Sequence, residues 1–236
     1  MEKVFEKHET LFCIALIILY VWVNSYCIQN FGLADYRSAI INTIFSMVLI
    51  VLMIMLKRTA YYGIARVTDL KRYLYFVPLV LIASVNLWNG INLNHSKSEI
   101  IFHILTMVNV GFLEEIIFRG FLFRVMAKDN VKRAIVVSAL TFGIGHIVNL
   151  LNGADLIPTL IQVCYAISLG YLFVIIFYKS KSLIPCIITH ACVNSLSIFH
   201  VENTTSLYVS SVVLILIAST YAIYINKNVT ESLQAD

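Results

Sequence analysis

Residues 109–123 read NVGFLEEIIFRGFLF and place two carboxylates and a guanidinium, those of Glu114, Glu115 and Arg119, inside a hydrophobic segment. On insertion scales, a charged side chain at membrane depth costs roughly 2.5 kcal/mol or more. Ionisable residues at such depth face the interior of a helix bundle as a rule, and they mark functional sites. This stretch therefore predicts a membrane-embedded helix bundle with a polar site inside it.

Two further hydrophobic segments carry polar side chains. Residues 140–150 read LTFGIGHIVNL and contain His146, and residues 184–196 read IPCIITHACVNSL and contain His190 and Asn194. Taken alone, each set is more typical of a hydrogen-bonded contact between membrane helices. The presence of three such sets on three different segments instead favours a shared functional site.

The composition is that of an integral membrane protein. Hydrophobic residues make up 60% of the 236 residues and charged residues 13%, whereas soluble domains average about 45–50% hydrophobic and about 25% charged residues.

Because the sequence contains no linker and no repeat, residues 1–236 are predicted to form one integral membrane domain. The predicted fold is all-α, a polytopic transmembrane bundle of about eight helices. The predicted spans are 11–29, 39–56, 74–93, 100–123, 132–150, 156–178, 183–199 and 207–225.

The charge of the connecting segments predicts an orientation. Count the N-terminal segment as the first and each loop between spans in turn. The odd-numbered segments, which lie on one side of the membrane, contain 14 of the 17 Lys and Arg residues, and the even-numbered segments contain only Arg37 and Lys97. Basic loops stay on the cytosolic side, so both termini are predicted to be cytosolic and the first span to be an uncleaved signal anchor. This bias accounts for the net charge of +4, so no nucleic-acid partner is expected. The Ile-, Asn- and Lys-rich composition favours a prokaryotic cell membrane.

The spacing of the polar residues on their helices predicts which of them pair with each other and which remain available for chemistry. Glu115 and Arg119 are four residues apart, which predicts an ion pair. Glu114 lies about 100° around the helix and has no intrahelical partner, so it is the carboxylate available for chemistry. His190 and Asn194 are also four residues apart, and both can donate hydrogen bonds from one helix face.

Depth along the helices predicts where these residues meet. At about 1.5 Å per residue, we expect Glu114, His146, His190 and Asn194 to converge in the middle to cytosolic half of the bundle. A carboxylate and a histidine can hold a water molecule there, and two donors can face the oxygen of a tetrahedral intermediate. The arrangement is suited to hydrolysis of a substrate reached from the cytosol.

The three motifs together resemble those of the CPBP family of intramembrane proteases, also called Abi. This family includes type II CAAX prenyl proteases and bacteriocin-processing or immunity proteins. The resemblance covers about residues 100–200, the family core, and rests on Glu114-Glu115-x-x-x-Arg119, Phe142-x-x-x-His146 and His190-x-x-x-Asn194.

The resemblance implies an intramembrane endopeptidase that cleaves a membrane-associated or lipidated peptide or protein. Its partners would be that substrate and the lipid bilayer. The residue roles that it implies are Glu114 as the base that activates water, His146 as a second holder of the water, His190 and Asn194 as the oxyanion hole, and Glu115 and Arg119 as supporting residues.

Alternatives remain for the cofactor and for the function. The expected mechanism uses no cofactor, but Glu114, His146 and His190 are the ligand types that zinc prefers and would be its ligands in a metal-dependent mechanism. A non-hydrolytic scaffold or immunity protein of the same family would keep the same motifs. A transporter also uses intramembrane Glu and His, although the two halves of this sequence show no repeat of the kind many transporters have.

Overall fold

The computed structural model describes residues 8–230 and 233, and this part of the chain is helical and contains no β-strand. The fold class predicted from the sequence is therefore confirmed. The α-helices are α1 (Glu9–Asn30), α2 (Tyr36–Met55), α3 (Val77–Ala83), α4 (Lys97–Glu115), α5 (Arg124–Ala127), α6 (Val131–Gly145), α7 (Leu156–Ser180), α8 (Ile184–Leu196) and α9 (Thr204–Asn228). Short 3₁₀ segments cover Leu70–Phe76, Val85–Leu87, His146–Leu150 and Ser197–Phe199.

Seven helical segments in the described residues are long and apolar enough to cross a membrane. An eighth apolar segment, Ile184–Phe199, is shorter and corresponds to the predicted span 183–199. Large apolar side chains on the outside of the bundle remain exposed, among them Trp22, Val80 and Leu93. Such a surface suits contact with lipid, and the chain is a multi-pass integral membrane protein.

The third segment departs most from its predicted bounds. The prediction covered 74–93, whereas the apolar helical segment is Leu70–Leu87 and combines a 3₁₀ turn, the seven-residue helix α3 and a second 3₁₀ turn. Its first turn contains residues with positive φ, including Leu74 and Tyr75. The helix ends before the polar run after Leu87, because amide side chains there compete for the backbone hydrogen bonds.

The segment that contains the first motif is one continuous helix of 31 residues, Lys97–Ala127. It begins at a capping box in which Ser96 and Glu99 satisfy each other's backbone N–H groups. Directly after the two glutamates it becomes a π-helix over Ile116–Phe123, and every residue of that stretch is buried. π-Helical turns are rare and frequently occur at functional sites.

One end of the bundle is densely packed. Residues 172–177 of α7 are all buried, as is the π-helical stretch of the first-motif helix. The loop 56–69 covers this end: Gly63 O accepts a hydrogen bond from Leu183 N at 2.8 Å, and Tyr61 O accepts one from Arg124 Nε at 2.9 Å. Ser182 Oγ donates a third hydrogen bond, to Ala65 O at 2.5 Å.

Glycine permits two close helix contacts near the motifs. A Cβ on Gly111 would lie 2.8 Å from Ala191 N, so α4 and α8 approach each other backbone to backbone. Gly143, three residues before His146, allows a similar approach of α6 to α7, since its Cβ position is 2.8 Å from Ile167 N. Gly145, directly before His146, makes no such contact, because its Cβ position faces open space.

Substitution of Gly111 tests the α4–α8 contact. Gly111→Ala places a methyl group against the backbone of Ala191, so we expect a destabilisation of about 1–3 kcal/mol and a Tm in detergent lower by several degrees. Gly145→Ala is the matched control, because its Cβ meets no atom within 4 Å. Equal Tm values for the two variants would contradict the close contact.

Candidate active site

Three of the four predicted catalytic residues line one cavity. This cavity has a volume of about 410 Å³, and its lining includes Glu114, His146 and Asn194. Glu114 and His146 also line a neighbouring cavity of about 70 Å³, which has room for several water molecules. The fourth residue, His190, is only 7% exposed and lies behind Glu114, outside both linings.

His190 bridges the two glutamates of the first motif. Its Nδ1 atom is 2.8 Å from Glu115 Oε1, and its Nε2 atom is 3.2 Å from Glu114 Oε2. A carboxylate only accepts hydrogen bonds, whereas a neutral imidazole has one N–H. The Nδ1–H group of His190 therefore donates a hydrogen bond to Glu115 Oε1, whereas the Nε2 atom lies within ion-pair distance of Glu114 Oε2.

The predicted ion pair between Glu115 and Arg119 is present. Arg119 Nη1 lies 2.9 Å from Glu115 Oε1, and both side chains are fully buried. The guanidinium group also stacks over the Phe142 ring, with 4.0 Å between Arg119 Cζ and the ring centroid. Since removal of one partner of a buried ion pair leaves an uncompensated charge, loss of Arg119 would leave the Glu115 carboxylate buried without its cationic partner.

Glu114 is held by groups from other helices. Tyr20 of α1 donates a hydrogen bond from its hydroxyl group to Glu114 Oε1 at 2.6 Å, and Asn24 Nδ2 donates to the same hydroxyl oxygen at 2.6 Å. Because the hydroxyl oxygen accepts from Asn24, its own proton is directed at the carboxylate. Glu114 indeed has no intrahelical partner, but it is fixed between α1 and α8.

Tyr20 is a site residue that the sequence reasoning missed. It lies outside the region of the motif resemblance, and nothing in the first span indicates which helix it will face. A signal was present in the spacing, since Tyr20 and Asn24 are polar residues four apart within an apolar run and so share a helix face.

The tautomer of His146 follows from its backbone contact. Its Nδ1 atom is 3.1 Å from the carbonyl oxygen of Phe142, which can only accept a hydrogen bond. In the neutral ring the proton is therefore on Nδ1, and Nε2 is the acceptor nitrogen. His146 thus contributes to the cavity wall a nitrogen that can take up a proton.

Asn194 has its amide group available. Its backbone oxygen accepts hydrogen bonds from Ser197 Oγ at 2.7 Å and from His103 Nε2 at 3.3 Å. Its side-chain amide makes no hydrogen bond to any residue that the structure describes, and it lines the larger cavity. His103, a second residue that the sequence reasoning missed, also contacts Ser197 Oγ and so braces this end of α8.

The residues named as alternative zinc ligands do not form a ligand set in this arrangement. Within residues 8–230 and 233, no group of three or more His, Cys, Asp or Glu side chains is placed to hold a metal ion. Of Glu114, His146 and His190, the last has both ring nitrogens on carboxylate oxygens. A metal bound by all three would require His190 to break one of these contacts.

The fold and the site define a polytopic helical membrane protein with a buried carboxylate–histidine network. Residues 96–196 match the family model described as Rce1-like, type II CAAX prenyl endopeptidase. All three motifs lie inside the matched segment, so the resemblance to the CPBP family of CAAX proteases is confirmed for the part of the chain that carries the site. Searches of the curated proteins and of the solved structures found no match.

Tyr20 offers a test of how the site is held. Tyr20→Phe removes one hydrogen bond to a charged group, which is worth about 1.5–3 kcal/mol. If the site hydrolyses peptides, we expect kcat to fall about 10-fold or more with little change in KM, because Tyr20 positions Glu114 without lining the substrate-sized cavity. Tyr26→Phe on the same helix is the control, since its ring is 47% exposed. An unchanged kcat for Tyr20→Phe would show that Glu114 needs no support from α1.

Proposed function

We propose that this protein is an intramembrane endopeptidase in which Glu114 activates a water molecule. One observation carries the proposal: the Glu114 carboxylate, held by Tyr20 and His190, faces a cavity that is also lined by an acceptor nitrogen of His146 and an amide of Asn194. The match of residues 96–196 to the Rce1-like endopeptidases supports the same reaction class.

In the first step Glu114 acts as general base. Its carboxylate takes a proton from a water molecule in the cavity, and the resulting hydroxide attacks the carbonyl carbon of the scissile peptide bond. The hydrogen bond from Tyr20 and the contact with His190 orient the carboxylate, so that little reorganisation is needed when the reaction begins.

The second requirement is stabilisation of the oxyanion. The amide of Asn194 is a donor on the same cavity wall as Glu114 and has no hydrogen-bond partner among the described residues, so we assign the oxyanion to it. His190 was also expected to donate to the oxyanion, and that role stays a prediction. Because its Nδ1 atom is hydrogen-bonded to Glu115 and its Nε2 atom lies 3.2 Å from Glu114 Oε2, we also propose that His190 positions Glu114.

The reaction closes with proton transfer to the leaving amine. The C–N bond of the tetrahedral intermediate breaks, and the amine takes the proton that Glu114 removed from water. His146 Nε2 is the second group on the cavity wall that can relay this proton, since its Nδ1–H is committed to Phe142 O. The products are one new carboxyl terminus and one new amino terminus, and no cofactor takes part.

The substrate in this proposal is a peptide or protein in or at the membrane. Lipidated C-termini are one class, by analogy with the type II CAAX prenyl endopeptidases named in the family description. A non-hydrolytic scaffold or immunity protein is the main rival, and a transporter is the other. Both rivals bind or move a partner through the same cavity without breaking a bond.

Replacement of the base separates these functions. In proteoliposomes supplied with a panel of quenched-fluorescent peptides, including prenylated ones, we expect Glu114→Gln to reduce cleavage by about 10²–10⁴-fold while the protein stays folded. Glu99→Gln is the control, because a glutamine preserves the capping box at the start of α4. If the wild-type protein cleaves nothing in the panel, or if Glu114→Gln retains full turnover, the proposed base is wrong.

Replacement of Asn194 tests the oxyanion assignment and the cofactor together. We expect Asn194→Ala to lower kcat by about 10²–10³-fold with little effect on KM. Cys192→Ala on the same helix is the control, because Cys192 lines a groove on another face of α8.

A chelator should leave the wild-type rate unchanged, because no step in this mechanism uses a metal. Loss of activity with a chelator and recovery with zinc would overturn this mechanism in favour of a zinc-activated water.

A further inference from the structure

The catalytic cavity extends from Glu114 toward one end of the bundle only. Its lining reaches the ends of α1, α6 and α8 and the beginnings of α7 and α9. These helix ends adjoin the connecting segments 31–35, 151–155 and 200–203. The lining residues on this side of Glu114 include Leu33, Asn86, Asn149, Gln162, His200 and Ser210.

The other end of the bundle gives the cavity no exit within the described residues. Beyond Glu114 the helix continues into the buried π-helical stretch, and α7 continues into its buried residues 172–177. The loop 56–69 then covers this end through its hydrogen bonds to Arg124, Ser182 and Leu183. A polypeptide that approached from this end would have to displace that packing.

The basic residues of the connecting segments lie at the closed end. Within the described residues this end has 12 Lys and Arg residues, whereas the open end has only Arg37 and Lys97. Lys and Arg are retained on the cytosolic side of membrane proteins. The closed end is therefore the one that the charge distribution assigns to the cytosol. The 12 residues are Lys57, Arg58, Arg66, Lys71, Arg72, Arg124, Lys128, Lys132, Arg133, Lys179, Lys181 and Lys227.

We infer that the active-site cavity opens on the non-cytosolic face of the membrane. This inference rests on the proposed function for its meaning as a substrate route, and it differs from the expectation of a substrate reached from the cytosol. The substrate class is then a polypeptide presented from outside: an exported peptide, or the outer part of a membrane-anchored protein. Of the substrates considered under the proposed function, this opening favours these over C-termini that are lipidated in the cytosol.

Site-specific thiol labelling tests the direction of the opening. The background is a variant without the five native cysteines, into which single cysteines are introduced at Ser210 in the cavity lining, Asn203 in the open-end loop and Lys132 at the closed end. Intact cells are treated with a small, cationic, membrane-impermeant methanethiosulfonate, and unreacted thiols are then detected by the gel shift of a maleimide polymer. A second lining position, Gln162→Cys, is used if Ser210→Cys does not fold.

We expect Asn203→Cys and Ser210→Cys to react in intact cells, and Lys132→Cys to react only after permeabilisation. Two results would overturn the inference: the reverse pattern for Asn203→Cys and Lys132→Cys, or a lining cysteine that does not react from outside although Asn203→Cys does. Labelling needs no catalysis, so it can be repeated with Glu114→Gln. The expected labelling together with an absence of peptidase activity would refute the proposed function but leave the direction of the cavity intact.

Discussion

The bridge that His190 forms between Glu114 and Glu115 is the interaction on which the site depends. It joins α8 to the first-motif helix at the level where Gly111 lets the two backbones approach. It also separates two adjacent carboxylates, which would otherwise repel each other in a medium of low dielectric constant. The Arg119 guanidinium pairs with Glu115, which offsets a buried negative charge and makes the burial of the network in a membrane protein more tolerable.

The asymmetry of the bundle follows from the same network. On one side of it, aromatic and aliphatic side chains of the π-helical stretch and α7 fill the space completely, and Arg119 stacks on Phe142. On the other side, the helix ends diverge and leave a cavity lined by amides, hydroxyl groups and aliphatic side chains. Glu114 lies at the boundary, held by Tyr20 and His190 on its protein side and open to the cavity on the other. Such a boundary position gives a base both a fixed orientation and access to water.

Much of the fold could be predicted from the sequence, and the reason is physical. A backbone in lipid must satisfy its own hydrogen bonds, so an apolar run of about 20 residues has few alternatives to a helix. The Glu115–Arg119 pair was predictable as well, because spacing on a helix is local. The contacts of Tyr20 and the position of His190 between the two glutamates were not, since they depend on how distant helices pack. The side on which the cavity opens depends on packing too, which helix lengths alone do not give.

The central claim is that His190 donates from Nδ1 to Glu115 and so holds its ring against Glu114. ¹⁵N NMR of the detergent-solubilised protein with labelled imidazole nitrogens measures this directly, with the His190 signals among the six histidines assigned by comparison with His190→Gln. The account predicts that Nδ1 of His190 carries a proton in a strong hydrogen bond, and that the Nδ1 signal shifts in Glu115→Gln. A His190 ring with an unprotonated Nδ1 in the wild-type protein would contradict it.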